Sequence, residues 1–336
     1  MIVALGVILA AVLLGPIFIE PIGRNIELFF LAVGLLTPIL TATFGWPMLH
    51  ELTIQPITLT LAVLVFGAAA RLARPAFDLG IQRLRATVPA RFIYPTLMLT
   101  LGLLSCVITA VVAALLLVEA IAMLKVDRES EVAAVVLACF AIGLGSGLTA
   151  AGGPLAAIAI ASLDADSWYL IRLLGPLVLG GILLVSALSL FIPPVSASFV
   201  EAARPEERWR DIALRAWRVY AFVAGLIGLS WGLRPLVGAY VSRIPQAVLF
   251  WVNSISAVVD NAALTAVEMG PALSQNQQRA MLMGLLISGG MLIPGNIPNI
   301  VAAGRLGIGS HEWARVGLVV GLPLMALCFV LLYALL

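Results

Sequence analysis

Charge is the scarcest commodity in this chain. Only 11% of its 336 residues are Asp, Glu, Lys or Arg, while 62% are hydrophobic and the mean hydropathy is +1.13. Soluble domains carry about a quarter charged residues, so a single globular core is excluded and a multi-pass membrane protein is indicated. Basic blocks are missing too, which argues against a nucleic-acid partner. There are three cysteines (Cys106, Cys139, Cys328), all inside apolar segments, and each reads as a small buried hydrophobe. His50 and His311 lie apart, near segment ends, and form no ligand cluster. No nucleophile–base pair, metal-ligand cluster or nucleotide loop occurs, so the chain does not read as an enzyme or an ATP-driven pump. No resident cofactor is expected.

What is present is apolar sequence in span-sized pieces. A membrane helix needs about 20 apolar residues, and such pieces occur at 2–20, 28–48, 55–73, 131–150, 167–192, 214–233, 274–293 and 313–335. The first has no charge ahead of it and reads as a helix ending near Glu20 and Pro21 rather than as a cleaved leader. Two stretches, 92–124 and 244–268, fit no single span. Each suits a re-entrant hairpin of two half-length helices.

The arginines support this. Arg71, Arg74, Arg83, Arg85 and Arg91 fall in one loop, and Arg204, Arg208, Arg210, Arg215 and Arg218 in another. Both belong in the cytoplasm by the positive-inside rule, which holds if 92–124 dips and returns. The turn Asp164–Asp166, the segment 234–243 and both ends then lie outside. Trp46, Trp168, Trp209, Trp231 and Trp313 fall near span ends, as an aromatic belt would.

Self-similarity adds a further layer. Leu104–Glu119 aligns with Asn253–Glu268, matching Ser105 with Ser254 and Glu119 with Glu268. Gly147–Pro154 aligns with Gly290–Pro298, and Asp166–Trp168 with His311–Trp313. Each unit contains an odd number of crossings, so the two have opposite orientation. The expected fold is all-α, with two inverted-topology repeats, each holding a re-entrant hairpin and a broken helix. The divisions are an N-terminal two-helix addition (1–54), repeat 1 (55–192), a cytoplasmic linker (193–213) and repeat 2 (214–336). Paired broken helices mark secondary transporters, with the site near the midplane.

One acid stands alone in apolar sequence: Asp260, with no other charge between Arg243 and Glu268. A carboxylate at bilayer depth is costly unless it faces protein, water or an ion, which makes Asp260 the centre of a candidate ion site. An ion pair with Arg172 or Arg315 is the structural alternative. Around Asp260 the second hairpin supplies Asn253, Ser254, Ser256, Asn261 and Thr265. The break supplies Gly295, Asn296 and Asn299, although either asparagine could simply cap a half-helix. Carboxylate plus neutral oxygens suits a hard cation, and Asp260, Asn261 and Asn296 are the expected sodium ligands. Repeat 1 offers Thr149 and the backbone of Gly152 and Gly153, but Val111 and Val112 at the positions aligned with Asp260 and Asn261. One asymmetric site is therefore expected. The glycines Gly143, Gly145 and Gly147 suit close helix packing. Glu119 and Glu268, at hairpin exits, read as solvated interfacial residues.

Ser256–Ala266 followed by Leu286–Val301 resembles the ion transporter superfamily, with Ile57–Gly67 and Gly145–Thr149 similar to a small branch taken to be cation transporters of bacteria and archaea. The resemblance covers nearly the whole chain, and Pro294–Asn299 is its most specific part. It implies two inverted repeats, a prokaryotic inner-membrane location and a homodimer. Its Asp-Asn pair is similar to the antiporter and arsenite branches, and the Ser-Asn-Thr of dicarboxylate carriers is absent. The expected function is secondary transport of a monovalent cation, sodium in exchange for protons, with membrane lipid and small inorganic ions as the partners. The alternatives are a sodium- or proton-coupled organic-acid symporter of the same fold, a passive channel, or a non-transporting membrane scaffold.

Overall fold

The computed structural model describes residues 5–8, 10–12, 15, 19, 21–22, 25–72, 83, 86–124, 126–195, 209–240, 245–258, 261–269 and 273–334. Among the described residues the secondary structure is helical, with no strand. Within the described residues, five helices are long and apolar enough to cross a membrane: Ala90–Ile108, Arg128–Ser146, Tyr169–Phe191, Ala216–Leu233 and Ser310–Tyr333. The chain is a multi-pass membrane protein by this measure, and outward-facing Val107, Leu183, Val319 and Val330 give it the apolar surface that lipid requires.

The chain runs through α1 (Ile26–Leu40) and α2 (Trp46–Leu72), then α3 (Ile93–Ile108) and α4 (Ala110–Leu124). Next come α5 (Arg128–Ser146), α6 (Pro154–Ser162), α7 (Tyr169–Leu188) and α8 (Trp209–Tyr240). The last part holds α9 (Gln246–Val252), α10 (Asn261–Glu268), α11 (Gln275–Ser288), α12 (Ile297–Leu306) and α13 (Ser310–Ala334).

Local chemistry sets the boundaries. The Asp127 carboxylate accepts from Ser130 N–H at 2.9 Å and starts α5. Ser274 and Gln277 form a capping box at the head of α11. Gly307 in the left-handed region (φ 62°) ends α12, where the Arg128 guanidinium donates to the Leu306 and Gly307 carbonyls and pairs with Glu312 at 2.8 Å. α5 is the axis: from Ala134 to Ser146 every residue is buried. It touches α3, α4, α7, α11, α12 and α13.

Two pairings cross the chain reciprocally. α4 packs on α12, and α10 packs on α6. α1 and α2 instead lie against α8. There Gly34 and Gly225 face each other so closely that a Cβ on Gly34 would sit 2.0 Å from the Gly225 carbonyl oxygen.

Several boundaries depart from the sequence expectation. The break between α1 and α2 falls at 41–45, not after residue 48. Within α2 the Glu51 carboxylate accepts from Trp231 Nε1 at 2.7 Å, across the α2–α8 contact. The stretch 92–124 forms helices of 16 and 15 residues joined at Thr109, longer than half-length. α11 stops at Ser288, five residues before the expected 293. Trp313, near the start of α13, faces the protein interior rather than lipid: it is fully buried and its Nε1 donates to the Gly290 carbonyl at 3.2 Å. The expected span 2–20 and the linker 193–213 lie largely outside the described residues.

Candidate functional site

Two helices are interrupted, and each interruption sits against the junction of a preceding helix pair. The first runs from Gly147 to Gly153, between α5 and α6. Thr149 Oγ1 donates to the Cys106 carbonyl and accepts from Gly152 N–H at 3.1 Å. The Gly152 carbonyl accepts from Ala110 N–H at 2.8 Å. These bonds tie the break to the α3–α4 junction, where Thr109 adopts φ 73°. For a β-branched residue that is a strained backbone. Thr109 Oγ1 caps α4 by accepting from Val112 N–H at 3.3 Å. Gly153 is the extended N-cap of α6.

The second interruption runs from Gly289 to Asn296, between α11 and α12. Its geometry is set by glycine and asparagine. A Cβ on Gly295 would lie 2.6 Å from both the Gly289 and the Ser256 carbonyl oxygens, so only glycine allows these two segments to meet. Asn299 is fully buried, and its Nδ2 donates to the Gly289 and Leu292 carbonyls, each at 2.8 Å. Its Oδ1 has no donor. Asn296 Oδ1 accepts from Ile297 N–H at 2.9 Å, so this side chain caps α12. Asn261 is buried, with its amide beside Gly289.

Around the turn Asn253–Ala257 that packs on α11, hydroxyls are closely linked. Ser288 Oγ lies 2.8 Å from the Asn253 carbonyl, 2.6 Å from the Gly284 carbonyl and 3.1 Å from Ser256 Oγ. Ser256 Oγ donates to the Leu285 carbonyl at 3.1 Å. In the first half, Ser105 Oγ reaches the Ile142 carbonyl at 3.0 Å. Ser256, rather than Ser254, thus makes the contact that Ser105 makes. Thr265 Oγ1 donates to the Asn261 carbonyl at 2.8 Å within α10.

The structure therefore brings Ser256, Asn261, Gly295, Asn296 and Asn299 to one break, with Thr265 one helical turn behind Asn261. Ser254 is half-buried on the adjoining turn. Asn253 is not part of that group: its Nδ2 reaches the Met281 carbonyl at 3.5 Å and its side chain faces Glu268. Thr149, Gly152 and Gly153 hold the other break. Asp260 lies outside the described residues. Of its two suggested cation partners, Arg172 pairs with Asp166 and Arg315 is exposed.

Two residues were misjudged from sequence. Glu119 is not solvated at an interface: it pairs with Arg305, and both side chains are largely buried (18% and 8% exposed). Glu268 is buried as well, and its Oε2 has no donor. The aligned positions carried the signal. Pro298 matches Pro154, so Arg305 matches Ala161, and Glu268 has no arginine in the place where Glu119 has one.

The family described as "Protein of unknown function (DUF1646)" matches residues 2–335, and the chain belongs to it. No curated protein matches the chain.

Proposed function

We propose that this family member is a secondary transporter of the prokaryotic inner membrane that exchanges a monovalent cation, sodium, for protons. The observation that carries the proposal is the Asn299 side chain: a buried carbonyl oxygen without a donor, on the side chain whose amide nitrogen binds the Gly289 carbonyl beside Gly295. Oxygen acceptors without donors suit a hard cation. The C-terminal end of α11 adds its partial negative charge at the same point.

The described packing supports the two inverted repeats of this reading. α4 on α12 and α10 on α6 are the reciprocal contacts that such a pseudo-two-fold would generate. The Ser105–Ile142 and Ser256–Leu285 bonds are a matching pair. In this reading Asp260, with Asn261 and the carbonyls around Gly295, holds either sodium or a proton. Competition of sodium and proton for one carboxylate then couples the two ions. The resemblance of Pro294–Asn299 to the ion transporter superfamily supports the same assignment.

Anion symport is less well served at this break. Ile297 N–H is capped by Asn296, Pro298 has no N–H, and Asn299 and Ile300 N–H both bond to the Asn296 carbonyl. The helix N-terminus that would hold an anion is already occupied by its own cap. An organic acid would have to use α6, which lacks a side-chain cap.

The test is sodium-dependent dequenching of a pH-sensitive dye in everted vesicles. Wild type should respond, and Asp260→Asn should fall to the level of empty vesicles. Sodium-driven uptake of an organic acid without proton counter-flux would replace exchange by symport. A copurifying partner with no ion response would favour a scaffold.

A further inference from the structure

Glu268 closes α10 and lies outside the five spans. It is 8% exposed, and its Oε2 has no donor. The polar group that faces it is the amide of Asn253, itself fully buried, whose Oδ1 also lacks a donor. Two buried side chains with unserved acceptor oxygens are costly as they stand, and a buried carboxylate without a cation is costlier still.

No cation is supplied by the described surroundings. α10 packs on α6, α8, α11 and the turn 253–257. Neither α6 nor the turn contains a titratable residue. On α11, Arg279 is turned to the Leu173 carbonyl. On α8, Arg218 pairs with Glu27, Tyr220 donates to the Thr53 carbonyl, and Arg210 is exposed. The side chains of Asp211, Arg215, Arg234 and Tyr240 are outside those described. The matching carboxylate, Glu119, has Arg305 across the α4–α12 contact, whereas across the α10–α6 contact the aligned residue is Ala161.

We propose that Glu268 is a proton-binding site, separate from the cation shell at the second break, which holds its proton beside the Asn253 amide. A proton is the smallest counter-charge that turns an orphaned carboxylate into a neutral acid, and it adds a donor at a site with two unserved acceptor oxygens. Burial pushes this carboxyl up to about 7, with Asn253 opposing the rise, so the proton exchanges near neutrality. As a proton carrier in addition to Asp260, with a role in coupling, Glu268 rests on the exchange reading. As a buried neutral acid it does not.

The experiment is infrared difference spectroscopy of the full-length protein in liposomes, following the carbonyl band of protonated carboxyl groups from mildly acidic to mildly alkaline pH. Asp260→Asn removes the other candidate acid and should retain one band that titrates near neutrality. Asp260→Asn/Glu268→Gln should lose it. Isotope-labelled glutamate should shift the same band in the otherwise wild-type protein, which keeps the test open should the double variant not fold. A missing band in Asp260→Asn, its persistence in the double variant, or its indifference to the glutamate label would each overturn the proposal. Vesicles that show no exchange while the band behaves as expected would remove the coupling role and leave the proton site.

Discussion

The two halves of the chain solve the same packing problem with different residual chemistry. In the first, the interrupted helix is sealed. Thr149, Gly152 and Ser105 bind the α3–α4 junction to α5, and Glu119 is matched by Arg305. In the second, the equivalent parts meet but are left unfinished, with Asn299 Oδ1, Asn253 Oδ1 and Glu268 Oε2 buried and unserved. The first half also buries an orphaned hydroxyl, at Ser186, but a hydroxyl can turn to donate whereas an amide or carboxylate oxygen cannot. The contrast separates a structural half from a half with room for positive charge.

The contrast is broken most severely at its sealed end. Arg305→Ala leaves Glu119 without its cation and should cost about 3–5 kcal/mol, seen as a lowered midpoint in thermal unfolding of the detergent-solubilised protein. Glu119→Gln/Arg305→Met should recover much of the loss. Failure of the single variant to destabilise would mean that the pair is solvated.

The next largest effect concerns pH. The folded Glu268 carboxyl binds its proton up to about 7, the unfolded one only up to 4.5. Between these values the folded state holds a proton that the unfolded state has lost, so stability falls as pH rises through the window and is level above it. The drop is on the order of 3 kcal/mol. Glu268→Gln should flatten it, as followed by unfolding midpoints across that pH range. An unchanged slope would assign the dependence to another group.

A finer comparison sets Asn299 against Thr149. Asn299→Ala leaves the Gly289 and Leu292 carbonyls unbonded and should cost about 2–3 kcal/mol, with sodium protection against unfolding abolished. Thr149→Val removes a donor and an acceptor from the sealed break and should cost about 1 kcal/mol, with sodium protection intact. Equal loss of protection in both would erase the distinction between the halves.

Much of the framework was legible because breaks are written in proline and glycine. Pro154 and Pro298 open α6 and α12, and the glycines before them end the preceding helices. The all-helical class and most long spans followed from apolar runs alone. Thr109 was legible only as a polar residue, since nothing in its type announces a left-handed backbone. Glu119 and Glu268 were misread for one reason: charge near a span end looks solvated until a partner, or the lack of one, is seen across the interface. That Ser256 takes the contact made by Ser105 was hidden by spacing, because fourteen positions separate Ser105 from Glu119 and twelve separate Ser256 from Glu268.

The crossing of α1 and α8 at Gly34 and Gly225 has a mechanical corollary. With backbone pressed on backbone, axial sliding would drive a Cα into a carbonyl, so the two helices travel together. α8 also touches α10 and α12, so α1, α2 and α8 form one packed unit beside the elements bearing Asn299 and Glu268.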